Sequence, residues 1–299
     1  MSDKSAIEWL DGGSTWNPTR GCTPCAPECA KCYARAFAER WRGIPGHPYE
    51  QGFDPRTVPD ALDLPLRWKK PRTIFVNSMS DLFHDAFPDD YIDRVFKVMQ
   101  VARHHRYIVL TKRAARMQRF LSERVSVLFG AFDTIADAKH ITLGVSVGTR
   151  ARLGDLDFLR ETPAARRMIS FEPLLEDLGD VDLRGIAFAA IGGESGSGAR
   201  PCDVAWIRSL IARCRASGTA PFCKQLGAHV IDRNDAGWDG CEPTDWPEHL
   251  VGEDRIEHDE SDTGYQGAPV RVRLRDRKGG DPAEWPADLR IRELPKETR

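Results

Sequence analysis

Residues 73–83 read TIFVNSMSDLF, and the change of character inside this stretch decides the fold. Thr73, Ile74, Phe75 and Val76 are β-branched or aromatic, the composition of a buried strand. The run stops at Asn77, Ser78, Ser80 and Asp81, and DDYIDRVFKVMQVARHH (89–105) follows with apolar residues at a helical period. The same succession returns along the chain. RYIVLTKR (106–113) leads into AARMQRFLSERV (114–125), HITLGVSVGT (140–149) into RARLGDLDFLRE (150–161), and GIAFAAIGGESGSGARP (185–201) into DVAWIRSLIARCRAS (203–217). RRMISFEPLLED (166–177) and APFCKQLG (220–227) add two further apolar runs. Strands alternating with helices predict a mostly parallel sheet covered by helices.

Each run ends in polar groups: Asn77, Ser78 and Asp81; Thr111 and Lys112; Ser146; Glu172; Glu194; Lys224 and Gln225. In a β/α barrel the C-terminal strand ends share one face, which holds the active site, whereas an open doubly wound sheet spreads them along an edge. The pattern therefore predicts a full or partial β/α (TIM-like) barrel over residues 1–227. Residues 228–299 break the alternation and are rich in Asp, Gly, Pro and Trp. They predict a C-terminal extension packed on the barrel, with a strand in APVRVRLRD (268–276) and any disorder centred on GEDRIEHDESDTG (252–264).

A chain of 299 residues with 41% hydrophobic and 29% charged side chains has the make-up of a globular protein, which excludes wholesale disorder. No apolar run approaches the roughly 18 residues of a membrane span, and MSDKSAIEWLDGG lacks the basic-then-apolar order of a signal peptide. A cytoplasmic protein without a membrane partner is expected. Residues 228–299 hold 18 acidic and 11 basic side chains, leaving 27 acidic and 32 basic before them. That mildly basic body is too weakly charged to argue nucleic-acid binding, because a solvated mixed-charge face gives the same count.

Eight cysteines in a chain with no export signal argue against a disulfide framework. Four of them crowd into CTPCAPECAKCY (22–33), while Cys202, Cys214, Cys223 and Cys241 are scattered. Structural zinc takes paired Cys-x-x-Cys hooks, but here Cys29 and Cys32 form one hook and no second follows. Three thiolates at short spacing suit a cubane iron–sulfur cluster with one iron left open. Two triplets satisfy this. Cys25, Cys29 and Cys32 have the x3, x2 spacing of radical S-adenosylmethionine enzymes, and Cys22, Cys29 and Cys32 are the other choice. Both share Cys29 and Cys32, predicted one turn apart at the start of a helix in CAKCYARAFAERW, whose dipole favours thiolate. The rival reading is a non-catalytic nucleic-acid- or partner-binding protein whose thiols hold zinc.

EWLDGGSTWNPTRGC (8–22) followed by CAKCYA (29–34) resembles the opening of a phage-encoded three-cysteine family related to radical S-adenosylmethionine enzymes. The likeness continues through VNSMSDLFH (76–84), LTKR (110–113), LGVSV (143–147), SFEPLL (170–175), IGGESGSGARP (191–201), FCKQLG (222–227) and DRKGGDPAEWPADLRIRELP (276–295). It implies Cys22, Cys29 and Cys32 as ligands of a [4Fe–4S] cluster, because the position of Cys25 is not normally cysteine in that family. It further implies S-adenosyl-L-methionine as cofactor, an external electron donor and a 5′-deoxyadenosyl radical as the hydrogen-abstracting species. The family has been likened to spore photoproduct lyase and to radical isomerases of hypermodified phage thymine. That implies a DNA base or an amino-acid adduct of one as substrate, in the host cytoplasm.

On this reading Glu172, Lys112 and Lys224 are the candidate catalytic groups. Ser78, Ser80, Asp81, Gly192, Gly193 and Glu194 are the candidate cofactor-binding residues. Each has a plainer use as well: Ser and Asp cap helices, a Gly-rich stretch makes a strand-to-helix turn, and a strand-end lysine is commonly solvated.

Overall fold

The computed structural model describes residues 5, 7–10, 12–129, 135–232, 245–247, 256–258 and 270–295. Cys241 lies outside them, as does all of 252–264 except three residues in a short strand. The protein is α/β: seven parallel strands form a curled half-barrel surrounded by helices, a partial TIM-like barrel. The chain divides into two compact units, residues 1–146 with 154–169, and residues 147–153 with 170–299.

The first unit opens with β1 (Ser14–Trp16), β2 (Thr19–Arg20), α1 (Tyr33–Glu39), β3 (Arg56–Thr57), α2 (Pro59–Leu62) and α3 (Leu64–Arg67). It continues with β4 (Thr73–Val76), α4 (Asp89–Val101), β5 (Arg106–Thr111), α5 (Ala114–Phe129), β6 (Ile141–Ser146) and α6 (Asp155–Glu161). β7 (Arg166–Phe171) passes its last two residues to the second unit. β1 pairs with β4, β4 with β5 and β5 with β6, all parallel. Ile74, Val76, Val109, Leu143, Val145 and Ile169 are buried, and α4 lays Ile92, Val95, Phe96 and Met99 against the interior. Each fully buried side chain of this size is worth about 1.5–3 kcal/mol relative to exposure. Gly144 is small by necessity, since a Cβ there would meet the Met168 side chain at 2.5 Å.

Three features differ from the sequence expectation. β1 was not anticipated, because three residues are too few to show a period; Trp16 fixes it by burying its ring and donating Nε1–H to Ala61 O at 2.7 Å. α4 ends at Val101, short of the histidines, and His105 is buried with Nδ1 accepting from Arg72 N at 3.2 Å. Cys29 and Cys32 do not share a helix. Cys29 ends a 3-10 turn (Pro27–Cys29) and Cys32 is the residue before α1, because Pro27 tightens the chain just ahead of the helix.

The second unit holds β8 (Phe188–Gly192), β9 (Cys202–Asp203), α7 (Val204–Ser217), β10 (Ala220–Gln225), β11 (Val230–Asp232), β12 (Ile256–His258) and β13 (Val270–Val272). β8 and β10 pair in parallel, and β12, β13, β11 and β9 form a second sheet in that order. Asp203 caps α7 by accepting from Ala205 N, and Gly218 at φ 75 ends it, a conformation that suits glycine. The C-terminal residues pack on β10: Cys223 N donates to Ile291 O at 2.7 Å and Leu226 N to Gly279 O at 2.8 Å. Arg292 covers the rings of Phe222 and Trp285 there, at 5.5 and 5.4 Å from their centroids.

Candidate active site

In the first unit, the polar ends of β4 and β5 hold the cysteine loop. Asn77 ends β4 with φ 61, a left-handed conformation that asparagine tolerates better than most residues. It turns the chain so that Asp81 is buried beside the end of β5. The Asp81 carboxylate accepts from Thr111 Oγ1 (2.7 Å), Phe83 N (3.0 Å), Lys112 N (3.0 Å) and Arg113 Nη1 (3.2 Å). Arg113 extends the network into the loop: Nη1 also donates to Cys22 Sγ at 3.3 Å, and Nη2 to Thr23 O at 3.0 Å. Cys25 Sγ lies 3.8 Å from Lys112 O.

Ser80 and Ser78 serve the same anchoring. Ser80 Oγ donates to Thr19 O at 3.0 Å, and Ser78 Oγ bonds the Asn17 side-chain amide at 3.3 Å. Gly21 N donates to Met79 O, and Cys22 N to Phe53 O, both at 3.1 Å. Gly21 has φ 78, and a Cβ on it would lie 2.2 Å from Asp54 O, so the residue before Cys22 must be glycine for the loop to pass. Cys22 and Cys32 pack on one small apolar cluster of Ala34, Ala38 and Phe53.

The four thiols differ in charge state. Cys29 is pulled down to about 5, chiefly by the Cys25 thiol donating to it, with backbone amides and Lys112 adding to the effect. Cys25 is correspondingly raised. Cys22 is raised by burial and by Asp81, with Arg113 opposing. All four are free thiols. Among the described residues no group of three His, Cys, Asp or Glu side chains is arranged as a metal cage. The donor set nevertheless fits an iron–sulfur cluster in kind: soft sulfur ligands, one already favoured as thiolate, with a guanidinium beside another to offset added negative charge.

In the second unit, Glu172 follows β7 and Lys224 interrupts β10. Lys224 Nζ lies 2.9 Å from Glu172 Oε1, and Ser170 Oγ donates to Glu172 Oε2 at 3.1 Å. The pairing of β10 with β8 skips Lys224, between Cys223 and Gln225, and such a bulge re-aims a side chain. Gly192 and Gly193 let the backbones close in. A Cβ on Gly193 would stand 2.2 Å from Leu226 O, and Gln225 Nε2 donates to Gly193 O at 2.8 Å. Glu194 is buried, and Arg200 clamps it from Nη2 (2.5 Å), Nε (3.0 Å) and its backbone N (2.9 Å).

The structure thus brings Ser78, Ser80, Asp81 and Lys112 together with the cysteines, and separately groups Glu172 with Lys224 and Gly192, next to Gly193 and Glu194. Sequence reasoning missed Arg113 and His84. Arg113 was visible only as the second basic residue after β5. His84 was visible only as the last residue of VNSMSDLFH (76–84), with no role assigned to it; it is buried, its Nδ1 accepts from Ala86 N at 3.1 Å, and its Nε2 therefore donates to Thr23 Oγ1 at 2.8 Å. Burial, followed by Arg113, lowers its pKa and favours the neutral ring.

Fold and site define a partial β/α barrel with a thiol-bearing loop pinned to the ends of two parallel strands. The chain matches, over residues 4–281, the family described as protein of unknown function (DUF5131), and it belongs to that family. No curated protein matches it. Among solved structures it is similar to a cysteine-to-alanine variant of spore photoproduct lyase with dinucleoside spore photoproduct, at 12% identity and a TM-score of 0.39, covering 86% of this chain and 67% of that one. It is also similar to spore photoproduct lyase complexed with the same dinucleoside, at 12% identity, the same coverage and a TM-score of 0.33.

Proposed function

We propose that this protein is a radical S-adenosylmethionine enzyme in which Cys22, Cys29 and Cys32 hold a [4Fe–4S] cluster. The observation that carries the reading is the anchoring of the cysteine loop, through Arg113 and Asp81, to the ends of β4 and β5, where β/α enzymes keep their active sites. When bound, the cluster and cofactor supply one-electron cleavage of a sulfonium and a radical able to abstract hydrogen; the protein supplies position and charge. Arg113 offsets the negative charge of the thiolates, and Gly21 lets the loop approach closely. Cys25 is the spare thiol, and it donates to Cys29.

The polar atoms of Ser78, Ser80, Asp81 and Glu194 are engaged in holding the protein itself, so their part in binding the cofactor is proposed as positioning. The backbone at Gly192 and Gly193 is the proposed contact for cofactor. Lys112, Glu172 and Lys224 are the proposed groups for substrate, with the Lys224 ammonium 2.9 Å from Glu172 holding that carboxyl group in place. The sequence resemblance supports a DNA base or its amino-acid adduct as substrate and an external one-electron donor.

Anaerobic purification, iron and sulfide analysis, and assay for 5′-deoxyadenosine after reduction test the reading. Iron near four per chain and cofactor cleavage are expected, lost in Cys22→Ser and kept in Cys25→Ser. Stoichiometric zinc with no cleavage would overturn it in favour of a structural zinc protein.

A further inference from the structure

Eight large hydrophobic side chains are exposed among the described residues, and four of them fall within twelve residues: Tyr33 (63%), Phe37 (43%), Trp41 (37%) and Ile44 (49%). Leu66, Val101, Phe158 and Leu294 are scattered one to an element, which is ordinary for a soluble surface. The clustered four are not ordinary, and three are aromatic at a spacing of four residues, which aligns them along α1 and the turn that follows.

Their rings are held in place. Tyr33 reverses the usual arrangement of a tyrosine: its hydroxyl is tied down, donating to Ser78 O at 2.6 Å, while its ring faces solvent. Phe37 meets Tyr49 edge-on at 5.6 Å and Trp41 at 6.4 Å, and Trp41 stacks on His47 at 4.1 Å. Arg20 lies 5.3 Å over the Tyr49 ring. Rings fixed before any partner arrives cost little entropy when one binds.

The charge around them is positive in a chain whose formal net charge is −2. Residues 31–56 hold Lys31, Arg35, Arg40, Arg42 and Arg56 against Glu39, Glu50 and Asp54. The acids are exposed but each is bonded to a neighbour: Arg42 takes both Glu39 and Asp54, at 2.6 and 2.9 Å, and Glu50 accepts from Gly46 N at 3.0 Å. The face is aromatic with five cations against three acids, a combination that stacks bases and neutralises phosphates.

We infer that this aromatic and arginine face docks single-stranded nucleic acid. Unstacked bases lie against Tyr33, Phe37 and Trp41, and the phosphates run past Arg35 and Arg40. A duplex fits less well, because its base faces are hidden within the stack. The inference gives a surface to the nucleobase substrate of the proposed function and rests on that reading for its sense, but it uses none of the thiols.

The test is fluorescence anisotropy with a labelled oligothymidylate of about a dozen nucleotides and the full chain, metal-free and without cofactor. Binding that weakens with salt and exceeds binding of a duplex of equal length is expected. Phe37→Ala with Trp41→Ala should weaken it about tenfold or more. Arg35→Glu with Arg40→Glu should flatten the salt dependence while leaving thermal unfolding unchanged. Equal affinity for duplex, or unchanged binding in both double variants, would overturn the inference. So would a dimer, seen by light scattering, that Phe37→Ala with Trp41→Ala disperses, because the face would then belong to a second copy. Failure here leaves the iron and 5′-deoxyadenosine assays untouched, and failure of those leaves the binding assay interpretable.

Discussion

The ends of β4 and β5 and the ends of β8 and β10 organise their surroundings by opposite means. At β4 and β5, side chains are spent on holding a loop: Asp81 accepts four hydrogen bonds, and Arg113 joins that carboxylate to Cys22. At β8 and β10, side chains are removed instead. Gly192 and Gly193 bring the backbones together, and the polar residues Glu172 and Lys224 pair with each other, Ser170 also bonding Glu172. The comparison teaches that a polar residue after an apolar strand has two distinct uses. One kind of strand end fastens the cysteine loop; the other holds an ion pair at a bulge.

The largest effect is expected at the fastened end. Asp81→Ala leaves Arg113 charged in a site where the two side chains are only 11% and 9% exposed. Losing one partner of such a pair costs about 3–5 kcal/mol. Urea unfolding should show that loss, and Cys22 should be alkylated faster in the folded protein. A loss under about 1 kcal/mol, the range of a surface pair, would show that the carboxylate is not the anchor. Gly193→Ala comes next. Its new Cβ would stand 2.2 Å from Leu226 O and 2.8 Å from the Cys202 Cβ, and overpacking of this kind costs about 1–3 kcal/mol. Because Gly193 belongs to the other unit, alkylation of Cys22 should not change. If it does, the two strand ends are coupled and the contrast between them fails.

Much of this architecture was legible because it rests on periodicity. The strands at 73–76, 106–111, 141–146, 166–171, 188–192 and 220–225 fall within the apolar runs read from the sequence, and α4, α5 and α7 follow where helical spacing begins. What escaped was set by single contacts. β1 exists because Trp16 is buried and hydrogen-bonded, not because three residues form a pattern. Lys224 owes its aim to a bulge, which alternation cannot reveal. Arg113 could be seen as a basic residue but not as a bridge, since its partners Cys22 and Asp81 lie 91 and 32 positions away. Among the cysteines, spacing marked the group but not the inequality within it. Cys25 and Cys29 differ because one donates to the other, a matter of local turn geometry at Pro27.

A smaller effect on stability belongs to the second strand end. Lys224→Met should cost about 1 kcal/mol or less, because the pair is partly open to water. On the proposed function, product formation should nevertheless fall about 100-fold or more, the usual scale for a positioned acid or base. Loss of stability without loss of turnover would make the pair merely structural, like its counterpart at Asp81.

Least disturbing to the fold, and most informative about the fastened loop, is Cys25→Ala. The sign of each thiol's contribution explains why stability is a poor readout here. Cys29, lowered to about 5, stabilises the folded protein above the ordinary thiol value of 9.0 and loses that contribution as pH falls through about 5. Cys25 is raised, so its contribution is present below 9.0 and is lost as pH rises, opposing that of Cys29. Reactivity separates them. In the wild type, alkylation of Cys29 should rise with pH from near 5, since the thiolate is the nucleophile. In Cys25→Ala the rise should move upward, because the largest cause of the lowered value is gone while burial, which opposes the thiolate, remains. A profile that does not move would mean that backbone and lysine hold Cys29 charged by themselves, and Cys25 would then be a bystander in the loop.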